Sequence, residues 1–300
     1  VEIRWLGVGR SEMSKLEPAG WRHADQVFRP IENSLPDCSL PPHGYHRGIR
    51  NAWHFATGAA RRSRHEPMPE LPEVETMRRG IAGVAGLRIV AVDLPRETKR
   101  PILVRPRPAA LARALAGRTV AGVHRFGKRI AIEIDGDETR PRQWLVIEPR
   151  MTGMLLIGRP PTDAHIRIVL EFASRKLPRL LFWDRRGLGT ARLLDEAGLQ
   201  AACGPAKLGP DGLGVSAADL QARLSQSRRA VKVALLDQRI VAGIGNIYAA
   251  EILSMAGVDP RAACRRLSET DWDRIALASR TILADAVSHE GSSLGDATYQ

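Results

Sequence analysis

Met68-Pro69-Glu70-Leu71-Pro72-Glu73-Val74-Glu75-Thr76-Met77-Arg78-Arg79-Gly80-Ile81 is the stretch from which the rest of the chain can be placed. Val74, Met77, Ile81 and Val84 recur at three and four residues, the spacing that lines up one helical face. Pro72 sits where a first helical turn tolerates its missing N–H, and Glu70, Glu73 and Glu75 crowd the positive end of the helix dipole. The pattern predicts an amphipathic helix with an acidic start.

Beyond it the period changes from helical to alternating. Short β-type runs at residues 89–92, 119–123, 130–134, 144–147, 166–172 and 180–183 are separated by Gly, Pro and Asp turns, which predicts an antiparallel sandwich or barrel. A helix over residues 108–116, closed by Gly117, interrupts the series. After Gly212 the pattern is helical throughout. Ser216 with Asp219 and Ser268 with Asp271 match capping-box starts, and apolar periodicity runs through 231–236, 247–255 and 275–287. The expected class is α+β: a β-sandwich with flanking helices, then a helical domain, divided near residues 204–214.

Upstream of Met68 the chain reads differently. Residues 1–67 hold His23, His43, His46, His54 and His65 and several prolines, yet no window keeps a strand or helix period, so residues 1–68 are expected to be an unstructured or spurious extension. Within it, Arg61-Arg62-Ser63-Arg64 reads either as a DNA-touching arm or as a solvated charge run.

The composition narrows the class of function. Of 300 residues 44% are apolar and 26% charged, which excludes collagen-like and wholly disordered chains, and the net charge of +12 attracts polyanions such as nucleic acid. The longest uncharged apolar stretch, residues 240–250, is far below the ~20 residues of a bilayer span, and only residues 5–9 are apolar near the start, too few for a secretory signal. A cytoplasmic protein is expected. Cys38, Cys203 and Cys264 stand singly, so neither a disulfide framework nor a bound metal is expected of this chain.

The segment Met68–Thr76 resembles the N-terminus of the formamidopyrimidine-DNA glycosylase and endonuclease VIII family, and Gly243-Ile244-Gly245-Asn246-Ile247-Tyr248-Ala249-Ala250-Glu251 continues the likeness, closer to the formamidopyrimidine branch. The resemblance implies a catalytic β-sandwich at 69–204, a helix-two-turn-helix DNA-binding domain at 205–300, and base-excision repair of oxidised purines with strand cleavage at the abasic site. It makes double-stranded DNA carrying such a lesion the partner, and a monomer the working form. It also implies that Pro69, once its N-terminal neighbours are removed, attacks the sugar C1′, that Glu70 is the acid/base partner and that Lys128 grips a phosphate. Glu73 either serves the site or favours the positive end of its helix, and the helix reading is preferred.

Gly245 and Asn246 read either as a helix start whose N–H groups approach a phosphate or as a tight interhelical turn capped by asparagine, with Arg228, Arg229 and Lys232 preceding them on a helix as phosphate contacts or a solvated face. An enzyme that extrudes a base must fill the hole. The family positions matching that task are Met151, Arg186 and Leu188, and His165 is a candidate DNA contact or a structural histidine. Glu148-Pro149 stands where the family often carries histidine, and Leu188 where phenylalanine is common. The family's zinc-bound hairpin and its arginine do not follow Gln300, so a catalytically inactive DNA-binding remnant is the competing expectation. Lesion choice is expected to depend on a loop around Gly204–Gly214.

Overall fold

A computed structural model describes residues 68–95, 100–137 and 139–290. The extension expected at residues 1–67, its basic run, Cys38 and the last ten residues lie outside the described residues.

The acidic segment folds as predicted, into helix α1 (Leu71–Ile81), followed by a single 3-10 turn (Ala82–Val84). Strands β1 (Ile89–Asp93) and β2 (Leu103–Arg105) lead to helix α2 (Pro108–Leu115). Gly117, with φ of +78°, turns the chain out of that helix in a conformation that a β-carbon would oppose. Then come β3 (Val120–Phe126), β4 (Arg129–Ile134), β5 (Gln143–Glu148), β6 (Gly153–Ile157), β7 (Ile166–Phe172), β8 (Arg179–Asp184) and β9 (Thr190–Leu194).

These strands make two sheets, one in the order β1-β7-β8-β6 and one in the order β2-β9-β5-β4-β3. The first is antiparallel throughout, but β2 runs parallel to β9, which corrects the wholly antiparallel expectation. Such a pairing needs a long crossover, here supplied by everything between Arg105 and Thr190. Alternate residues from both sheets, among them Ile132, Leu145, Ile147, Leu170 and Phe182, interleave with Val74, Met77 and Ile81 of α1 in one apolar core.

Helix α3 (Glu196–Cys203) closes the sandwich, and α4 (Ala217–Leu224), α5 (Val231–Leu235), α6 (Asn246–Ala256) and α7 (Glu269–Ser288) build the helical half. Both expected capping boxes form, with Ser216 and Ser268 each accepting from the N–H three residues on. The core of this half gathers Leu220, Val231, Ile252, Trp272, Ile275 and Leu283.

One of its buried members, Leu71, comes from the other end of the described chain. Helix α1 thus belongs to both cores: Leu71 enters the helical one, and Val74 onward enters the sandwich. The segment expected to be a loop, residues 204–214, is tied to the helical half by Gly209 N–H on the Gln238 carbonyl and Gly212 N–H on that of Ala242, each at 2.9 Å.

Candidate active site at the junction of the two halves

Because α1 serves both cores, its first turn is pressed against the start of α6. Leu71 N–H donates to the Gly243 carbonyl at 3.0 Å. Gly243 has a φ of +100°, and a β-carbon on it would run into Leu71. The preceding residue, Glu70, is 3% exposed. Its carboxylate accepts from the backbone N–H of Gly245 at 2.7 Å, Ile247 at 3.0 Å and Tyr248 at 3.4 Å. A helix start leaves N–H groups without partners inside the helix, and here both oxygens of a carboxylate 175 residues away in sequence accept from them.

This corrects one expectation. The positive end of α6 was assigned to a phosphate, but in this structure the Glu70 carboxylate occupies it. Gly245 is the N-cap, and Asn246 is the first helical residue, exposed, without a capping bond from its side chain. Asn246 therefore remains free to face a partner while the N–H groups beside it are taken.

Glu73 does more than favour a helix end. It accepts the Glu70 N–H at 2.9 Å, and its other oxygen accepts the Tyr248 hydroxyl at 2.9 Å. Tyr248 is 1% exposed, and the sequence held its signal, since a buried tyrosine needs a hydrogen-bond partner.

Lys128, in the turn between β3 and β4, completes the group. A β-carbon on Gly245 would overlap both the Glu70 carboxyl and the Lys128 ammonium, so these two charges flank the one glycine that lets them close in. The turn reaches α6 because Gly127, with φ of +56°, packs on Ala242 and Gly243. Burial pushes the Glu70 carboxyl above its ordinary range, against the opposing pull of Lys128 and the three N–H groups. Burial likewise draws the Lys128 ammonium below its usual value, opposed by Glu70 and Glu73. An acid held toward its neutral form beside a loosened ammonium is suited to moving a proton. Pro69, buried and adjacent to Glu70, lies at the same place.

Arg125 fixes the arrangement from behind. It donates to Glu75 at 2.9 Å, and to both oxygens of Asp211 at 2.7 and 3.1 Å, so one guanidinium joins α1, β3 and the segment entering the helical half. Sequence reasoning missed it, because neither carboxylate is near Arg125 in the chain.

Two of the three hole-filling candidates meet, and the third lies on the same loop. Arg186 Nη1 lies 3.1 Å from Met151 Sδ, and Leu188 is 38% exposed on the same loop. Asp184, fully buried, shapes that loop: its carboxylate accepts from the N–H of Arg186 and Gly189 and from the Thr152 hydroxyl, at 3.1, 2.8 and 2.6 Å. Aspartate before a glycine-rich turn, bonding the N–H two residues on, was the signal available in the sequence. His165 stands at the base of this loop, its carbonyl accepting the Asp184 N–H at 2.9 Å and its ring packed edge-on against Trp183.

Arg228 is exposed in the turn before α5, and Lys232 is the only one of the preceding basic trio within that helix, which corrects the reading of all three as helical. Arg229 is paired with Asp237 at 3.1 Å. Among the described residues no group of three or more His, Cys, Asp or Glu could hold a metal, and no helix is long and apolar enough to cross a membrane. Cys203 and Cys264 are buried and free.

The chain is thus a β-sandwich joined to a helical half, with an acid of the first seated on a helix start of the second. Residues 68–191 match the family model described as the formamidopyrimidine-DNA glycosylase N-terminal domain, and residues 208–298 that of its H2TH domain. The chain belongs to the formamidopyrimidine-DNA glycosylase family. It is 37% identical over 243 residues to the formamidopyrimidine-DNA glycosylase of Dinoroseobacter shibae, covering 76% of this chain and 82% of the relative. It is 36% identical to that of Moorella thermoacetica, with the same coverage. Its fold is similar to the Lactococcus lactis enzyme bound to DNA with an abasic site, with a TM-score of 0.65, 28% identity and coverage of 75% and 83%. A complex of that species' enzyme with DNA containing the formamidopyrimidine lesion FAPY-dG gives a TM-score of 0.66, 28% identity and coverage of 77% and 84%.

Proposed function

We propose that this chain excises oxidised purines from duplex DNA and cleaves the strand at the resulting abasic site. The observation that carries the reading is the placement of the Glu70 carboxyl on the α6 start, beside Pro69 and Lys128. Pro69, as a chain-initial secondary amine, attacks C1′ and displaces the damaged base, leaving an iminium that draws electrons from the sugar and permits elimination of the phosphates. Glu70 donates the proton to the opening sugar ring. Lys128 and Asn246 hold phosphates of the lesion strand, with Lys232 and Arg228 adding positive charge from the turn and helix before α6. Met151, Arg186 and Leu188 enter the space left by the extruded nucleotide.

The proposal has a strict chemical condition. While Met68 precedes it, the Pro69 nitrogen is a tertiary amide whose lone pair is delocalised into the carbonyl, and it is no nucleophile. Borohydride trapping on an abasic-site duplex is therefore expected to give no adduct with the chain beginning at Val1, and a covalent adduct at Pro69 with a chain beginning at Pro69. Failure of the second chain to trap, with DNA binding retained, overturns the catalytic reading and leaves a DNA-binding protein.

A further inference from the structure

On the outer face of the five-stranded sheet, where α3 leans over it, lies a cavity of about 260 Å³ lined by Arg129, Glu148, Thr190, Arg192, Ala202 and Lys207. Three cations face one carboxylate. Glu148 is shared between Arg129 at 3.9 Å and Arg150 at 3.3 Å, while neither Arg192 nor Lys207 pairs with a carboxylate among the described residues. The site has polar walls fixed in place, since Arg129 also donates to the Ala202 carbonyl at 3.3 Å and Glu148 is held opposite Thr190 in the strand register. Its volume falls below the roughly 300 Å³ at which sites for drug-sized molecules begin, which suits a small anionic group rather than a whole nucleoside. Cys203 is buried next to the cavity, and burial pushes its thiol up despite Arg129 and Arg192, so an inert wall rather than thiol chemistry stands there.

The location says which anion reaches it. Arg129 directly follows Lys128, Glu148 precedes Met151 by three residues, and Thr190 follows Leu188 by two. The strand ends that line the cavity thus continue into the three loops assigned to the DNA.

We propose that this cavity is a second phosphate site, filled by a backbone phosphate of DNA seated on those loops. The proposal rests on the functional reading above for its source of phosphate, and on Arg129, Arg192 and Lys207 alone for its chemistry. A free phosphate ion has the same chemistry, and the test separates the two.

The experiment compares the full chain with its Arg192→Gln/Lys207→Gln double variant, neither residue belonging to the proposed catalytic group. Affinity for a duplex carrying an uncleavable tetrahydrofuran site, and for the same duplex without it, is measured across salt concentrations. Each phosphate neutralised contributes about 0.9 to the slope of log affinity against log salt. The variant is expected to lose about one unit of slope on both duplexes and roughly tenfold or more in affinity at low salt. Thermal melting of the two proteins should coincide, which separates a lost contact from a damaged fold. In a second arm, inorganic phosphate is titrated against each protein and followed by phosphorus NMR line width. An unchanged DNA slope with phosphate broadening lost in the variant keeps the site but assigns it to the free ion. No change in either arm overturns the proposal. Absence of any preference for the lesion duplex by a wild-type chain beginning at Pro69 would instead overturn the functional reading, and leaves the slope comparison on plain duplex intact.

Discussion

At the scale of single residues, Glu70 carries two duties that substitution can separate. In a chain beginning at Pro69, Glu70→Gln removes the proton donor, and single-turnover cleavage of a lesion duplex should fall by about 10²–10⁴. The amide still offers one oxygen to the N–H groups of α6, so melting should drop by far less than unfolding of the junction would require. Since burial raises the folded Glu70 pKa, the acid stays protonated to higher pH than a solvated glutamate, and the rate of its step should fall as pH rises through that raised value. A pH profile of the Gln variant lacking this limb would bear the assignment out; an unchanged profile would move the acid elsewhere. Glu75 behaves oppositely. Its burial alone would raise the pKa, but Arg78 and Arg125 outweigh burial and hold it at about 2, against an unfolded value of 4.5. Its contribution is complete above the unfolded value and is lost as pH falls toward 2, amounting to about 3 kcal/mol from the linkage relation. Urea unfolding of wild type and Glu75→Gln should differ at pH 7 and converge near pH 2.

At the scale of elements, the junction depends on backbone approach more than on any side chain. Gly245→Ala would place a methyl against both the Glu70 carboxyl and Lys128, so cleavage should be lost while the far-ultraviolet signature of the helices persists; retained activity would show that the junction opens without cost. Much of this level was legible beforehand. The six predicted strands and the helix starts at Ser216 and Ser268 appear because alternation and capping chemistry are local signals. The omissions have equally local causes. Strand β6 reads Gly-Met-Leu-Leu-Ile, an edge strand whose Leu155 and Leu156 are buried in different clusters on its two faces, so it shows no alternation. Strand β2 is only three residues long, and β9 mixes Thr, Arg and Leu without a period. Helix α3 did carry a signal, Asp195 accepting the Gly198 N–H at 2.7 Å, but spans barely two turns. In the site, the resemblance named Pro69, Glu70 and Lys128, whereas the Glu73–Tyr248 bond and the Arg125 bridge join residues far apart in the chain, and no local pattern announces such pairs.

At the scale of the whole molecule, Leu71 denies the two halves independence. A fragment of residues 205–300 lacks that fully buried side chain and should be less stable by about 2–5 kcal/mol, the range for emptying a buried leucine site. Adding a peptide of residues 69–81 should raise its melting temperature, and no response to the peptide would mean that the helical core closes without α1. The same feature sets an order in time. Glu70 leaves the ribosome long before its partner Gly245, 175 residues later, which at about 5–20 residues per second is an interval of roughly 10–35 s. Throughout that interval the nascent sandwich has its acid but no helix start on which to seat it. Seating of the acid would then arrive only once the start of α6 has been made, and a polypeptide released before that point would carry Glu70 without its partner.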